Sequence, residues 1–175
     1  MASSGGLVPP LDADERNTLE GWLHFHTPIP EPKCRDLDGG QAREASVPPS
    51  ELTLLGLVQH VAFQHLAEVE RNWFHRVLTG ESVPAIHCPG ADPEGPNSGF
   101  ELAEGAKLAD ALAAWQAEIL QARANWKGRE LGATSAFMAA EVTLRWICIE
   151  IIGEYARHAG HGDLLRECID GRTGV

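Results

Sequence analysis

Basic residues are scarce in this 175-residue chain: 14 Lys and Arg stand against 25 Asp and Glu, for a net charge of −11. A field of that sign repels phosphate backbones and leaves no basic stripe, which excludes nucleic acid as an expected partner. Long apolar runs are also lacking. No segment approaches the roughly 18 uninterrupted apolar residues of a membrane span, and Met1 to Pro10 carries neither a basic region nor a long apolar core. These absences predict a cytoplasmic protein with no membrane partner. The four cysteines, Cys34, Cys88, Cys148 and Cys168, are far apart and form no CxxC pair. That excludes a zinc knuckle and a thioredoxin-type motif, and predicts reduced thiols with Cys148 buried. Strand-type alternation and internal repeats are absent as well.

What is present is a core-forming composition, with 43% hydrophobic residues, enough for one compact domain. Residues 1–10 read as a flexible tail and 11–175 as a single domain. Asp12, Asp14 and Glu15 suit the start of a first helix, with Leu19, Trp22, Leu23 and His26 at helical spacing. Pro28, Pro30 and Pro32 end it. Ser50 is a good N-cap for a second helix from Glu51 to Thr79, stopped by Gly80. Residues 82–99, rich in proline and glycine, read as an irregular connection. An alanine-rich third helix then runs from Leu102 to about Trp126. A fourth begins between Ala136 and Ala140 and reaches about His158, with a further turn from Asp163 to Ile169. Four long helices and almost no strand signal predict an all-α four-helix bundle, with Trp22, Trp73 and Trp146 as core aromatics.

The chemistry concentrates in the last helix, where Glu154 and His158 lie four residues apart and therefore on one helix face, a bidentate metal-binding spacing. The second helix offers two histidines. His65 shares an apolar stripe with Val58, Val61, Ala62 and Val69, whereas His60 lies about 140° away round the helix, so both cannot readily serve one site. The stripe favours His65. With Glu154 and His158 it would give three protein ligands and an open position, the pattern of a catalytic rather than a structural zinc site. An ordinary helical ion pair is the bland alternative for Glu154 and His158. Histidine, titrating near neutrality, could also act as an acid or base without metal.

Leu54-Leu55-Gly56-Leu57-Val58-Gln59-His60, the run His65–Phe74, Leu144-Arg145-Trp146, Glu154–Glu167 and Ile169-Asp170-Gly171 together resemble the DinB/YfiT-like superfamily, and more narrowly its actinobacterial branch. The similarity covers nearly the whole chain, and Glu-Tyr-Ala-Arg-His-Ala-Gly-His is its most specific part. The resemblance implies a four-helix bundle with a divalent metal ion (zinc, nickel or iron), held by one second-helix histidine and the Glu154/His158 pair. It also implies a mycothiol-like thiol cosubstrate and a small-molecule electrophile. The expected activity is that of a metal-dependent thiol S-transferase or thiol-dependent isomerase; the alternative is a non-catalytic metal or small-ligand binding protein. A homodimer is compatible with such bundles.

The chain departs from that pattern in three places. Val61 to His65 reads as a five-residue insertion duplicating the expected histidine: the left match selects His60 and the right match selects His65. Glu150 stands where many relatives have His, and would act as a fourth ligand, a base, or a buried partner of Arg145. The proline run falls where helix one normally continues. His161 and Asp163 would orient His158 or merely cap a helix end. Tyr155, the sole tyrosine, would donate a hydrogen bond into the cleft or sit half-buried. Glu150, Tyr155 and His161 are thus the candidate catalytic residues. Arg157 and Arg166 would bind an anionic substrate or pair with neighbouring acids, and His24 and His26 are expected at the surface.

Overall fold

A computed structural model describes residues 8–27, 33–61, 66–84 and 108–173. Over these residues the protein is mostly helical, with one small two-stranded sheet. Helix α1 spans Glu15–His26. Asp14 caps it by accepting the Asn17 amide at 2.8 Å, and Leu19 and Leu23 turn inward. The helix stops at Thr27, just before the first proline of the expected breaker run; residues 28–32 lie outside the described residues.

The second helical stretch is less regular than its apolar pattern suggests. It starts at Leu54 rather than Glu51, because Thr53 and not Ser50 caps it, accepting the Gly56 amide at 3.0 Å. Helix α2 (Leu54–Gln59) is buried at Leu54, Leu55, Leu57 and Val58, as befits a short helix covered on all sides. His60 and Val61 are π-helical, residues 62–65 lie outside the described residues, and α3 (Leu66–Glu70) follows. The chain then winds as a seven-residue π-helix from Arg71 to Val77, in which the Leu78 amide reaches back to the Trp73 carbonyl. Such wider turns are rare and shift the helical register. Trp73 and Phe74, adjacent in sequence, are both buried there.

Helix α4 is described over Leu108–Trp126 and buries Trp115, Ala122 and Trp126. Arg71 Nε donates to Glu118 at 3.0 Å, joining the π-helical segment to α4. The alanine-rich segment expected to open the last helix instead forms an antiparallel hairpin. Strand β1 (Thr134–Phe137) pairs with β2 (Ala140–Thr143), Phe137 facing Ala140 and Met138 turning the chain with a φ of 53°. The all-α expectation is therefore corrected at this point. Thr143, the last strand residue, also caps the next helix by accepting the Trp146 amide at 3.2 Å, which places the boundary there.

Helix α5 then runs unbroken through 27 residues, Leu144–Asp170, and ends at Gly171 with φ 77°. The expected break near His158 does not occur. Gly160 and Gly162 weaken a helix intrinsically, but at Gly162 the backbone approaches α2 closely, and a Cβ there would lie 3.6 Å from Leu57. Tertiary contact sustains the helix. Its buried stripe, Leu144, Ile147, Cys148 and Ile151, is fully shielded along with Leu23 and Phe74. Trp146 is 46% exposed, covering Trp73 rather than entering the core. Trp22 is likewise at the surface, stacked on the half-buried His26, while His24 is exposed as expected.

Polar groups also enter this core. Glu70 is wholly buried and accepts the Tyr155 hydroxyl at 2.7 Å, while Trp115 Nε1 donates to the same hydroxyl at 3.3 Å. The chain of bonds ties α3, α4 and α5 together. Burial pushes the Glu70 carboxyl up to about 7, against the opposing charge of Arg123 and the hydrogen bond from Tyr155. Its folded value therefore exceeds the unfolded one. The stability contributed by its neutral form is fully present below about 4.5 and is lost as pH rises through about 7. The loss amounts to roughly 3 kcal/mol at most. Glu70→Gln keeps an acceptor for Tyr155 and removes the ionisation. Urea unfolding at pH 5 and pH 8.5 should show the wild type losing more stability than the variant over that interval; equal losses would contradict a buried titrating carboxyl.

Candidate functional site

The hydrogen bond from Tyr155 fixes the rotation of α5, and with it the direction of the residues on either side. Glu154 and His158 both lie on the α5 face turned toward the end of α2, where they are 6% and 8% exposed. His60, the residue that ends α2, is 7% exposed, and its ring centroid lies 5.4 Å from that of His158 at a 55° tilt. His158 Nε2 stands 3.8 Å from Glu154 Oε2. The other Glu154 oxygen is held at 2.8 Å by Arg157, whose guanidinium is largely in solvent. The structure thus brings His60, Glu154 and His158 together. His65 lies outside the described residues.

Around this centre, His161 is exposed and meets the His158 ring edge-on at 5.8 Å. Asp163 does not turn to His158 but pairs with Lys33. Arg166, 4% exposed, donates at 2.7 Å to the carbonyls of both Lys33 and Arg35 and pairs with Asp170. It clamps the segment after the prolines against α5. The ion-pairing alternative therefore describes Arg157 and Arg166. Glu150 is half-buried one turn before Glu154; Arg145, its expected partner, instead pairs with Glu15 at the surface. Tyr155 is neither half-buried nor aimed at an open cleft, since its hydroxyl is engaged by Glu70 and Trp115 in the core. Burial and the neighbouring Glu70 carboxylate hold that phenol well above its usual value.

Sequence reasoning gave no separate role to Glu70, Trp115 or Arg123. The signal for Glu70 was its position four residues before Phe74, which puts an acid on a core-facing stripe.

Two imidazoles and a carboxylate, buried and drawn together from two helices, are the right donor chemistry for a borderline-soft divalent ion. Among the described residues, no group of three or more His, Cys, Asp or Glu side chains is arranged to hold a metal ion. Cys34 and Cys148 are not nucleophiles in waiting. Burial pushes Cys34 up to about 11 and Cys148 up to about 12, so both are thiols at neutral pH. Cys168 is exposed, and Cys88 lies outside the described residues. No helix among the described residues is long and apolar enough to cross a membrane.

Neither curated proteins nor solved structures match the chain. The family model described as Mycothiol-S-transferase matches residues 18–171, a span that takes in α1, the irregular second stretch, α4, the hairpin and the whole of α5. Nearly all of the fold just described falls within that match, His60, Glu154 and His158 included, and the chain belongs to the mycothiol S-transferase family.

Proposed function

We propose that this protein joins the thiol of mycothiol, or of a closely similar cosubstrate, to a small electrophile at a divalent metal centre held by His60, Glu154 and His158. The observation that carries the reading is the pair of buried imidazoles 5.4 Å apart, with the Glu154 carboxylate beside one of them. The family supports the thiol as cosubstrate. The burial that keeps Cys34 and Cys148 protonated fits an external sulfur nucleophile. A divalent ion, when bound, supplies a Lewis acid that lowers the thiol pKa and favours its thiolate.

The chain's own residues divide the remaining work. His60 and His158 would present imidazole nitrogens to the ion from facing helices. Glu154 brings the negative charge, and Arg157 orients it. The reaction forms a carbon–sulfur bond; the thiol loses its proton, and the electron pair displaced from the electrophile leaves with the departing group or stays on the acceptor atom. His161, exposed and in contact with the His158 ring, is placed to take that proton to solvent. Glu150, one turn from Glu154, is the second group able to accept it. Tyr155 acts from within, holding α5 in register through Glu70. In this reading residues 11–175 form one domain. α1, the second stretch (α2, α3 and the π-helix), α4 and α5 make up a four-helix bundle, with the site between the second stretch and α5.

His60 is named as the second-stretch ligand because its ring meets that of His158; His65 lies outside the described residues. Protein purified without chelator should carry about one metal per chain, falling below about 0.1 in His60→Ala, Glu154→Ala and His158→Ala, while His65→Ala retains it. Near-UV circular dichroism confirms that each variant is folded. Loss in His65→Ala with retention in His60→Ala would reverse the assignment, and a metal-free wild type would remove the centre altogether. With mycothiol and a panel of small electrophiles, thiol consumption should be catalysed and should stop on chelation. No turnover by metal-loaded protein would leave a binding protein rather than an enzyme.

A further inference from the structure

A second site lies away from the two imidazoles, in a cleft of about 760 Å³ between α1 and the C-terminal end of α4. That volume falls within the ordinary range of small-molecule pockets. Its polar lining is Asn17, Glu20, His24, Arg123 and Lys127, with Trp126 among the apolar residues. At the rim, Pro9 packs so closely on α1 that a Cβ at Gly21 would stand 2.9 Å from the proline Cβ. Glycine at 21 is what lets the N-terminal segment lie there, bringing Pro10 and Ala13 into the wall.

The charge in this cleft runs against the rest of the protein. The chain carries a net −11, yet here two cations, Arg123 and Lys127, face one carboxylate, Glu20, leaving a local excess of one positive charge (2 − 1). Glu20 is already paired with Arg16 at 3.3 Å. Arg123 donates through Nη2 to the Thr27 hydroxyl at 3.2 Å and lies over the Trp126 ring at 5.8 Å. It has no carboxylate ion pair among the described residues, and its Nη1 is buried without a hydrogen-bond partner there. Glu70 feels the charge of Arg123, but its bonded oxygen is taken by Tyr155. A guanidinium offers five donors in a fixed fork, and leaving buried ones unused is costly.

We propose that this cleft binds a small organic monocarboxylate, with Arg123 as its anchor and Lys127 as a second cation. A carboxylate matches the guanidinium fork with two parallel hydrogen bonds. The single excess positive charge suits a monoanion, and Glu20 on the wall works against a phosphate dianion. Pro10, Ala13 and Trp126 offer an apolar surface to the body of the ligand, and Asn17 and His24 offer polar contacts at its far end. The site uses none of His60, Glu154 and His158, so it stands whether or not those residues hold a metal.

Isothermal titration of the full chain with cyclohexanecarboxylate tests this, with cyclohexanecarboxamide and inorganic phosphate as the comparison ligands. Saturable binding is expected for the carboxylate and at least about tenfold weaker binding for the amide and for phosphate, as a lost charge-assisted bond predicts. Binding should persist after chelation, weaken at least about tenfold in Arg123→Gln, and weaken in the same direction in Lys127→Ala, whose exposed side chain can be removed without disturbing the core. Equal affinity for acid and amide, unchanged affinity in both variants, loss of binding on chelation, or no saturation below about 10 mM would each overturn the proposal.

Discussion

The hydrogen bond from Tyr155 to Glu70 is the constraint on which the candidate site depends. In a helix with 100° between successive residues, Glu154 lies 100° to one side of Tyr155, and His158, three residues on, lies about 60° to that same side. Once the Tyr155 hydroxyl is drawn inward to α3 and met by Trp115 from α4, Glu154 and His158 can only emerge together toward the end of α2. A polar bond in a core is a costly way to obtain packing. It is a directional way to obtain orientation, because hydrophobic contact alone leaves a helix free to rotate by a few tens of degrees. The unusually high pKa of Glu70 is the physical trace of that choice.

That Glu154 and His158 share one face of α5 was legible because a four-residue spacing on a regular helix fixes the relation between two side chains. The surroundings of His60 were not. A stripe argument for His65 assumes 3.6 residues per turn from Leu54 to Thr79, whereas the chain turns π-helical at His60 and again over Arg71–Val77. Each wider turn changes the angular address of everything after it, so periodicity carried across a five-residue insertion cannot decide between two histidines. Among the described residues it is His60 that lies beside His158; His65 is outside them. The hairpin escaped for a related reason. Thr134–Thr143 is rich in alanine, which reads as helix in any local scale; Thr143 serves both as the last strand residue and as the α5 cap, and only the pairing across Met138 exposes the difference. Gly162 misled in the opposite sense, since its intrinsic cost is offset by contact with α2.

Burial treats the titrating groups of this protein in opposite ways. It silences Cys34 and Cys148 as nucleophiles by keeping them protonated. In Glu70 it raises a carboxyl into the neutral range, where it still responds to its surroundings. A protein whose described buried thiols are inert can handle a reactive external thiol without competing with it for electrophiles, which suits the family to which the chain belongs.

Arg123 connects these interior groups to the surface cleft. Its charge lowers the Glu70 pKa and acts on both Cys148 and Tyr155, and the same residue lines the cleft. A carboxylate held there would neutralise the guanidinium that now favours the ionised form of Glu70, so the neutral carboxyl would gain. By linkage the reverse also holds: protonation of Glu70 removes a negative charge that Arg123 feels and strengthens its attraction for an external one. Binding in the cleft should therefore be tighter below the Glu70 pKa than above it, as long as the ligand itself remains ionised. The coupling needs no movement of the helices, only one cation shared between a buried acid and an open cleft.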